Sequence, residues 1–175
     1  MSDLLNTHIH TLGYQFQYVP ICPHLPSTNC KNPISIDWPH FIKLNHRIVI
    51  TGAPAAFSPT CSKDHIPGYI AESEELFSNK GVDQIVILTV DSPFVLQAWA
   101  KELGVKDSEH IKFGYDSGCK FIKSLGLELE VEKDIFYSGR WAMIIEDGMI
   151  KYVGKEKNPY TDVTASSVES IYAHL

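Results

Sequence analysis

Residues 47–69 read RIVITGAPAAFSPTCSKDHIPGY. The opening RIVITG is a short run rich in β-branched residues, the composition of a strand buried on both faces. Five residues later, Ser58-Pro59 reads as a helix start, with serine as N-cap and proline at the first helical position. A helical pattern then covers about 59–79, and Pro67 must kink it because its ring displaces the preceding turn. The segment is a strand feeding almost directly into a helix, with Cys61 at the third helical position. There the backbone N–H groups have no intrahelical partner, and the positive end of the helix dipole favours an anion.

The same alternation continues outward. QIVILTV (84–90) is a second buried strand, and Ser92-Pro93 opens a helix over 93–103. IKFGY (111–115) is a third strand, and RWAMIIEDGMIKYV (140–153) is a hairpin turning at Asp147-Gly148. Ser166 and Glu169 stand at capping-box spacing, so the chain is expected to finish as a helix. Near the start, YQFQYV (14–19) alternates like an edge strand, and the four prolines of VPICPHLPSTNCKNP (19–33) mark an exposed loop. Strands and helices alternating before a late hairpin predict an α/β fold, a mixed β-sheet with helices on both faces. No repeat or linker interrupts residues 1–175, so a single domain is expected.

Composition narrows the function. The chain is 44% hydrophobic and 21% charged, both ordinary globular values, and its net charge of −6 comes without a basic cluster. Nucleic acid and anionic membranes are therefore poor partners, and no apolar run reaches the roughly 18 residues of a membrane span. The start, MSDLLNTHIH, lacks the basic and apolar segments of a secretory leader. The four cysteines, at 22, 30, 61 and 119, form no CxxC pair. His8, His10, Cys22 and His24 are read as solvated side chains rather than metal ligands. A reducing, cytoplasmic setting is expected. The terminal Ala173-His174-Leu175, a loose relative of the S-K-L tail, adds a peroxisomal address.

Cys61 carries the chemistry. A free thiol is mostly protonated at neutral pH, and the thiolate is the nucleophile. A helix start supplies about 0.3–2 kcal/mol toward the anion, and a charge-assisted hydrogen bond from an arginine about 1.5–3 kcal/mol. Forming the thiolate gains only about thirtyfold in reactive species, so real catalysis also needs groups that stabilise charge on the substrate. Helix N–H groups, a serine hydroxyl and a guanidinium together suit the two oxygens of a peroxide. His65, four residues on, has no evident orienting carboxylate and is read as a group bracing the site rather than a general base.

The segment APAAFSPTCSKDHIPGY resembles the active-site pattern of the peroxiredoxins, in particular the peroxiredoxin-5-like branch: P-x-x-x-T/S-x-x-C followed by H-x-P-G-aromatic. GVDQIVILTVDSPFVLQAWAKELGV (81–105) and GRWAMIIEDGMIKY (139–152) continue the likeness across nearly the whole chain. Over that length the chain resembles the fungal alkyl hydroperoxide reductases, which are thioredoxin-dependent peroxidases. The resemblance implies a thioredoxin-like fold and reduction of hydroperoxides to alcohol and water, with thioredoxin as reductant and no metal, haem or flavin. Residue by residue, Cys61 takes the peroxidatic role, Ser58 the hydroxyl position, and Pro54 shields the site. Arg140 matches the arginine that contacts thiolate and peroxide. Nothing in the residues alone would single Arg140 out.

One departure stands out: the region GKEKNPYTDVTASSVESI carries no second cysteine. The resolving thiol is expected to be Cys30, in the proline-rich loop, reaching across a homodimer as the resemblance implies. Cys119, placed at the opening of a helix, and an external reductant acting on a one-cysteine enzyme are the alternatives, and Cys22 is incidental. Two other readings of Cys61 stay open at this level. It could be a redox sensor whose oxidation controls partner binding, or the nucleophile of a cysteine hydrolase paired with His65.

Overall fold

The computed structural model describes residues 4–26, 31–106 and 109–175. Nine strands and six α-helices follow one another along the described residues: β1 (Gln17–Tyr18), β2 (Ile34–Ser35), α1 (Trp38–Leu44), β3 (Arg47–Gly52), α2 (Ile66–Ala71), α3 (Ser73–Ser78), β4 (Gln84–Thr89), α4 (Pro93–Glu102), β5 (Ile111–Tyr115), α5 (Lys120–Ser124), β6 (Glu128–Glu132), β7 (Ile135–Ser138), β8 (Trp141–Glu146), β9 (Met149–Lys155) and α6 (Val168–His174). Seven strands form one mixed sheet in the order β2-β1-β5-β4-β3-β8-β9, and β6 pairs with β7 as a separate ribbon. β4 runs parallel to both β3 and β5, whereas β8 is antiparallel to β3 and to β9. Parallel neighbours require a crossover of a dozen or more residues, which the helical segments between β3, β4 and β5 provide.

Alternation along the central strands divides the core in two. Val49, Ile85, Ile87, Ala142 and Ile144 pack with Tyr69, Leu76, Trp99 and Ile171 on one face of the sheet. Ile48, Ile50, Val86, Leu88 and Met143 pack with Trp38, Phe121 and Ile122 on the other. Since successive strand residues point to opposite faces, a run such as Ile48-Val49-Ile50 is apolar throughout because both faces are covered. The expected mixed sheet with helices on both faces is the observed architecture. Among the described residues no helix is long and apolar enough to cross a membrane.

Several local expectations are corrected. The pattern over 59–79 is not one helix: it opens with a π-helical turn at Cys61–His65, continues as α2, and breaks at Glu72 before α3. The alternation of 14–19 shortens to β1, which is covered on its outer side by the unforeseen β2. The proline-rich stretch is not wholly exposed, since Val19 and Ile21 are each only 3% accessible. Helix α1 and the β6–β7 ribbon were not expected either; α1 is short, whereas the strict alternation of Leu127-Glu128-Leu129-Glu130-Val131-Glu132 is a strand signal that the reading passed over. At the end of the chain Ser167, not Ser166, caps α6 by accepting from Ser170 N at 3.2 Å. The Asp147-Gly148 turn has positive φ at both residues (48° and 82°), the geometry that closes a two-residue hairpin.

Candidate active site

Between β3 and the following helix the chain makes a constrained turn. Ala53 still pairs with β4 through its N–H to Leu88 O at 3.0 Å, and Pro54 behind it is buried. Ala56 N–H then donates to Asp91 Oδ2 at 2.7 Å, tying the turn to the loop after β4. Phe57 adopts a left-handed φ of 60°, unusual for a bulky residue and strained by about 1–3 kcal/mol. That reversal folds Ser58 back over Ala55. Its hydroxyl consequently donates to Ala55 O at 3.0 Å instead of capping the helix as expected, while its carbonyl accepts the first helical bond from Ser62 N at 2.9 Å. Cys61 N–H lies ahead of that first donor, at the helix start.

The π-helical turn has a local cause. Pro67 lacks an N–H, and its ring would press on the carbonyl of Lys63 in a regular helix. Ile66 N–H reaches back to Cys61 O instead, five residues away, and the widened turn relieves the clash. Cys61 and His65, its first and last residues, are both buried, at 0% and 1% accessible.

Arg140 arrives from the junction of β7 and β8. The Trp141 indole lies on Gly52, where there is no space for a side chain, and donates to Ser138 Oγ at 3.1 Å. That packing fixes the short link Gly139-Arg140, and Arg140 is itself 1% accessible. Its Nη1 lies 3.4 Å from Cys61 Sγ and 3.0 Å from His65 Nδ1, and its Nε donates to Pro159 O at 3.0 Å. A guanidinium has only donors, so His65 Nδ1 must be an acceptor and Nε2 must carry the ring proton. Nε2 accordingly points at Ser166 O and at Thr51 Oγ1, both at 3.1 Å, and the Thr51 hydroxyl passes its own hydrogen to Trp141 O at 3.0 Å. Both ring nitrogens are engaged in holding other groups.

Burial lowers the His65 pKa to about 3, and the adjacent Arg140 charge adds to the effect, against smaller opposing contributions from Ser166 and Glu156. The sign of its linkage to stability follows. The unfolded chain binds a proton below its ordinary 6.5, whereas the folded chain does not accept one until about 3. The contribution is complete above pH 6.5 and is lost as pH falls through that window, by about 1.4 kcal/mol per unit. Urea unfolding at pH 5 is expected to show about 2 kcal/mol less stability than at pH 7. Most of that difference should vanish in His65→Gln. His46, raised by its exposed hydrogen bond to Asp147, has the opposite sign and sits at the surface.

A cavity of about 370 Å³ opens above these groups. Pro54, Ser58 and Arg140 line its floor, with Val131, Tyr137 and Tyr160 among its walls. Cys61 is not itself exposed to the cavity and meets it through Arg140, which is. Phe57 and Phe94 are exposed instead, at 51% and 58%, and do not line the cavity. Tyr137 and Val131 come from the unforeseen β6–β7 ribbon, whose alternating LELEVE run (127–132) marks a strand but not its place beside the site, and Tyr160 from a loop without periodic pattern.

The other cysteines differ in setting. Cys30 lies outside the described residues. Cys119 immediately precedes α5, as expected of a residue opening a helix, but it packs in the cluster on the opposite face of the sheet from Cys61. Its thiol donates to Tyr137 O at 3.5 Å, and burial, aided by the Asp116 and Glu128 charges, pushes its pKa up to about 12. Cys22 is half-buried. No cluster of histidine, cysteine and carboxylate side chains able to hold a metal ion occurs among the described residues.

Comparison with known proteins identifies the family. The Redoxin family model matches residues 23–172. A protein of Lipomyces kononenkoae named "Putative peroxisomal peroxiredoxin" is 35% identical over 92% of this chain and 95% of its own. Peroxiredoxin-2D of Arabidopsis thaliana is 36% identical over 78% of this chain and 82% of its own. Among solved structures, the reduced Prx3 of Vibrio vulnificus in complex with hydrogen peroxide has a TM-score of 0.68 at 33% identity, covering 77% of this chain and 86% of that one. The thioredoxin-like fold implied by the sequence is the fold of this family. The chain belongs to the Redoxin family as a peroxiredoxin, a thiol peroxidase that reduces hydroperoxides and is recycled by a thioredoxin-type reductant.

Proposed function

We propose that Cys61 is the peroxidatic cysteine of this enzyme and that Arg140, Ser58 and Pro54 complete its site. The observation that carries this reading is the buried guanidinium shared between Cys61 Sγ and His65 Nδ1, at 3.4 and 3.0 Å, on an arginine that also lines the cavity. An always-charged donor beside the sulfur favours the anionic nucleophile and also meets the peroxide oxygen that leaves. Ser58, whose hydrogen is engaged by Ala55 O, offers its lone pairs to the peroxide O–H. Pro54 closes the floor against water. Because Cys61 is fully covered at rest, a peroxide reaches the sulfur only as the floor side chains part.

In the reaction, the Cys61 thiolate attacks one peroxide oxygen and the O–O bond breaks. The sulfur is oxidised to sulfenic acid, and the departing oxygen takes a proton to leave as alcohol, or as water from hydrogen peroxide. A second thiol then attacks the sulfenic sulfur, expelling water and forming a disulfide, which a thioredoxin-type dithiol reduces by exchange. His65 acts as a brace, not a base: neither ring nitrogen is free to take a proton. The same engagement disfavours a Cys61–His65 hydrolase.

Cys30 of a second subunit is the resolving thiol in this reading, within a homodimer. The support is by contrast: Cys119 is sealed in the opposite core with a thiol that resists ionisation. The enzyme works in the cytoplasm. The name of the Lipomyces relative, "Putative peroxisomal peroxiredoxin", supports a peroxisomal pool. One equivalent of peroxide is expected to give a Cys61–Cys30 disulfide between chains. It should run as a dimer on a non-reducing gel, be identified by mass spectrometry, and be missing in Cys30→Ser. A covalent dimer persisting in Cys30→Ser rejects that resolver.

A further inference from the structure

We propose that Glu156 is a positioning residue of this active site, holding the 164–166 loop so that Ser166 sets His65 and His65 in turn sets Arg140 against Cys61. The inference rests on the proposed roles of Cys61 and Arg140. Glu156 follows the last residue of β9 and is only 5% accessible, an unusual place for a lone carboxylate. Among the described residues, the hydrogen bonds to its carboxylate all come from one loop. Oε1 accepts from Thr164 N at 2.6 Å and from Ser166 N and Ser166 Oγ at 2.8 Å each, and Oε2 accepts from Thr164 Oγ1 at 2.8 Å. Burial alone would raise its pKa; the bonds from Ser166 and Thr164 outweigh burial and keep it below the ordinary range.

The loop so held presents one carbonyl to the site. Ser166 O accepts from Tyr69 OH at 2.7 Å and from His65 Nε2 at 3.1 Å. That second bond fixes the histidine tautomer whose Nδ1 lone pair receives Arg140 Nη1, so the relay ends at the guanidinium. Two independent features point the same way. Glu156 N–H donates to Arg140 O at 2.9 Å, tying the carboxylate's own backbone to the arginine. Gly154, two residues earlier, leaves room where Ala165 O sits against the strand and where any side chain would push the loop away. Hydrogen bonds to charged groups are the strong ones, and losing an orienting partner lets a catalytic group drift.

The test measures two rates for Cys61 in the full-length protein at pH 7: single-turnover oxidation by hydrogen peroxide, and alkylation by iodoacetamide followed by mass spectrometry. Glu156→Ala is expected to slow both by about tenfold, and Glu156→Gln, which keeps the reach and one oxygen acceptor, by about threefold. Charge alone predicts the reverse, because deleting a nearby negative group favours the anionic sulfur and speeds alkylation. In an Arg140→Lys background the Glu156→Ala effect should largely disappear, since both act on one guanidinium. Parent or faster rates in either Glu156 variant, with thermal melting above the assay temperature, overturn the proposal, as does full additivity with Arg140→Lys. If Glu156→Ala does not fold, Glu156→Gln decides alone. Unchanged rates in Arg140→Met itself would instead refute the role of Arg140 on which this inference stands.

Discussion

Cys61→Ser is expected to abolish peroxide-dependent turnover, by more than about a thousandfold, while leaving the fold intact. The catalytic cycle needs a sulfur that can accept oxygen and later return to thiol; a serine hydroxyl does neither. The substitution changes little else. Cys61 is fully buried, serine is nearly isosteric, and Arg140 Nη1 keeps His65 Nδ1 as an acceptor beside it. A urea midpoint close to the parent's, together with no consumption of hydroperoxide in the presence of thioredoxin and its reductase, is the predicted outcome. Substantial turnover in Cys61→Ser would remove the basis of the mechanism, since the remaining described cysteines sit either in the opposite core or in the N-terminal loop segment.

Arg140 carries the second large effect. Its guanidinium meets three acceptors from three parts of the chain: Cys61 Sγ, His65 Nδ1 and Pro159 O. Lysine keeps the charge but gathers its three N–H donors on one nitrogen, unable to span all three positions. Removing one donor aimed at developing charge typically costs about 10²–10³ in rate. Arg140→Lys is accordingly expected to lower kcat/KM for hydroperoxide by about a hundredfold and Arg140→Met by about a thousandfold. Arg140→Met also leaves the buried His65 Nδ1 without a donor, at about 1–3 kcal/mol, so its urea midpoint should fall. Without the neighbouring charge, His65 should also accept a proton at higher pH than in the parent, readable as a change in the pH dependence of stability. Near-normal kcat/KM in Arg140→Lys would show that the charge alone suffices and that the shared geometry is incidental.

The sequence was most informative where the governing interaction is local. RIVITG and QIVILTV announce doubly covered strands because every residue must meet an apolar neighbour on one face or the other. Ser92-Pro93 starts a helix because the cap is settled within four residues, and Asp147-Gly148 turns a hairpin because two adjacent positive φ angles suffice. Cys61 at a helix start could be read from its own neighbours. Arg140 could be identified only through resemblance to a family, since its 79-residue separation from Cys61 leaves no local pattern.

What the sequence alone determined is the alternating α/β plan and the placing of one cysteine at a helix start. Tertiary structure decided how that cysteine is surrounded. It turned the Ser58 hydroxyl onto Ala55, used Pro67 to open a π-helical turn that carries His65, and drew Glu156 and Ser166 into a relay ending at Arg140. Periodicity and capping are set by residues within a turn or two of each other. An active site assembled from positions a hundred residues apart depends on which buried donors and acceptors are left to satisfy one another, and that is settled only when the sheet has formed.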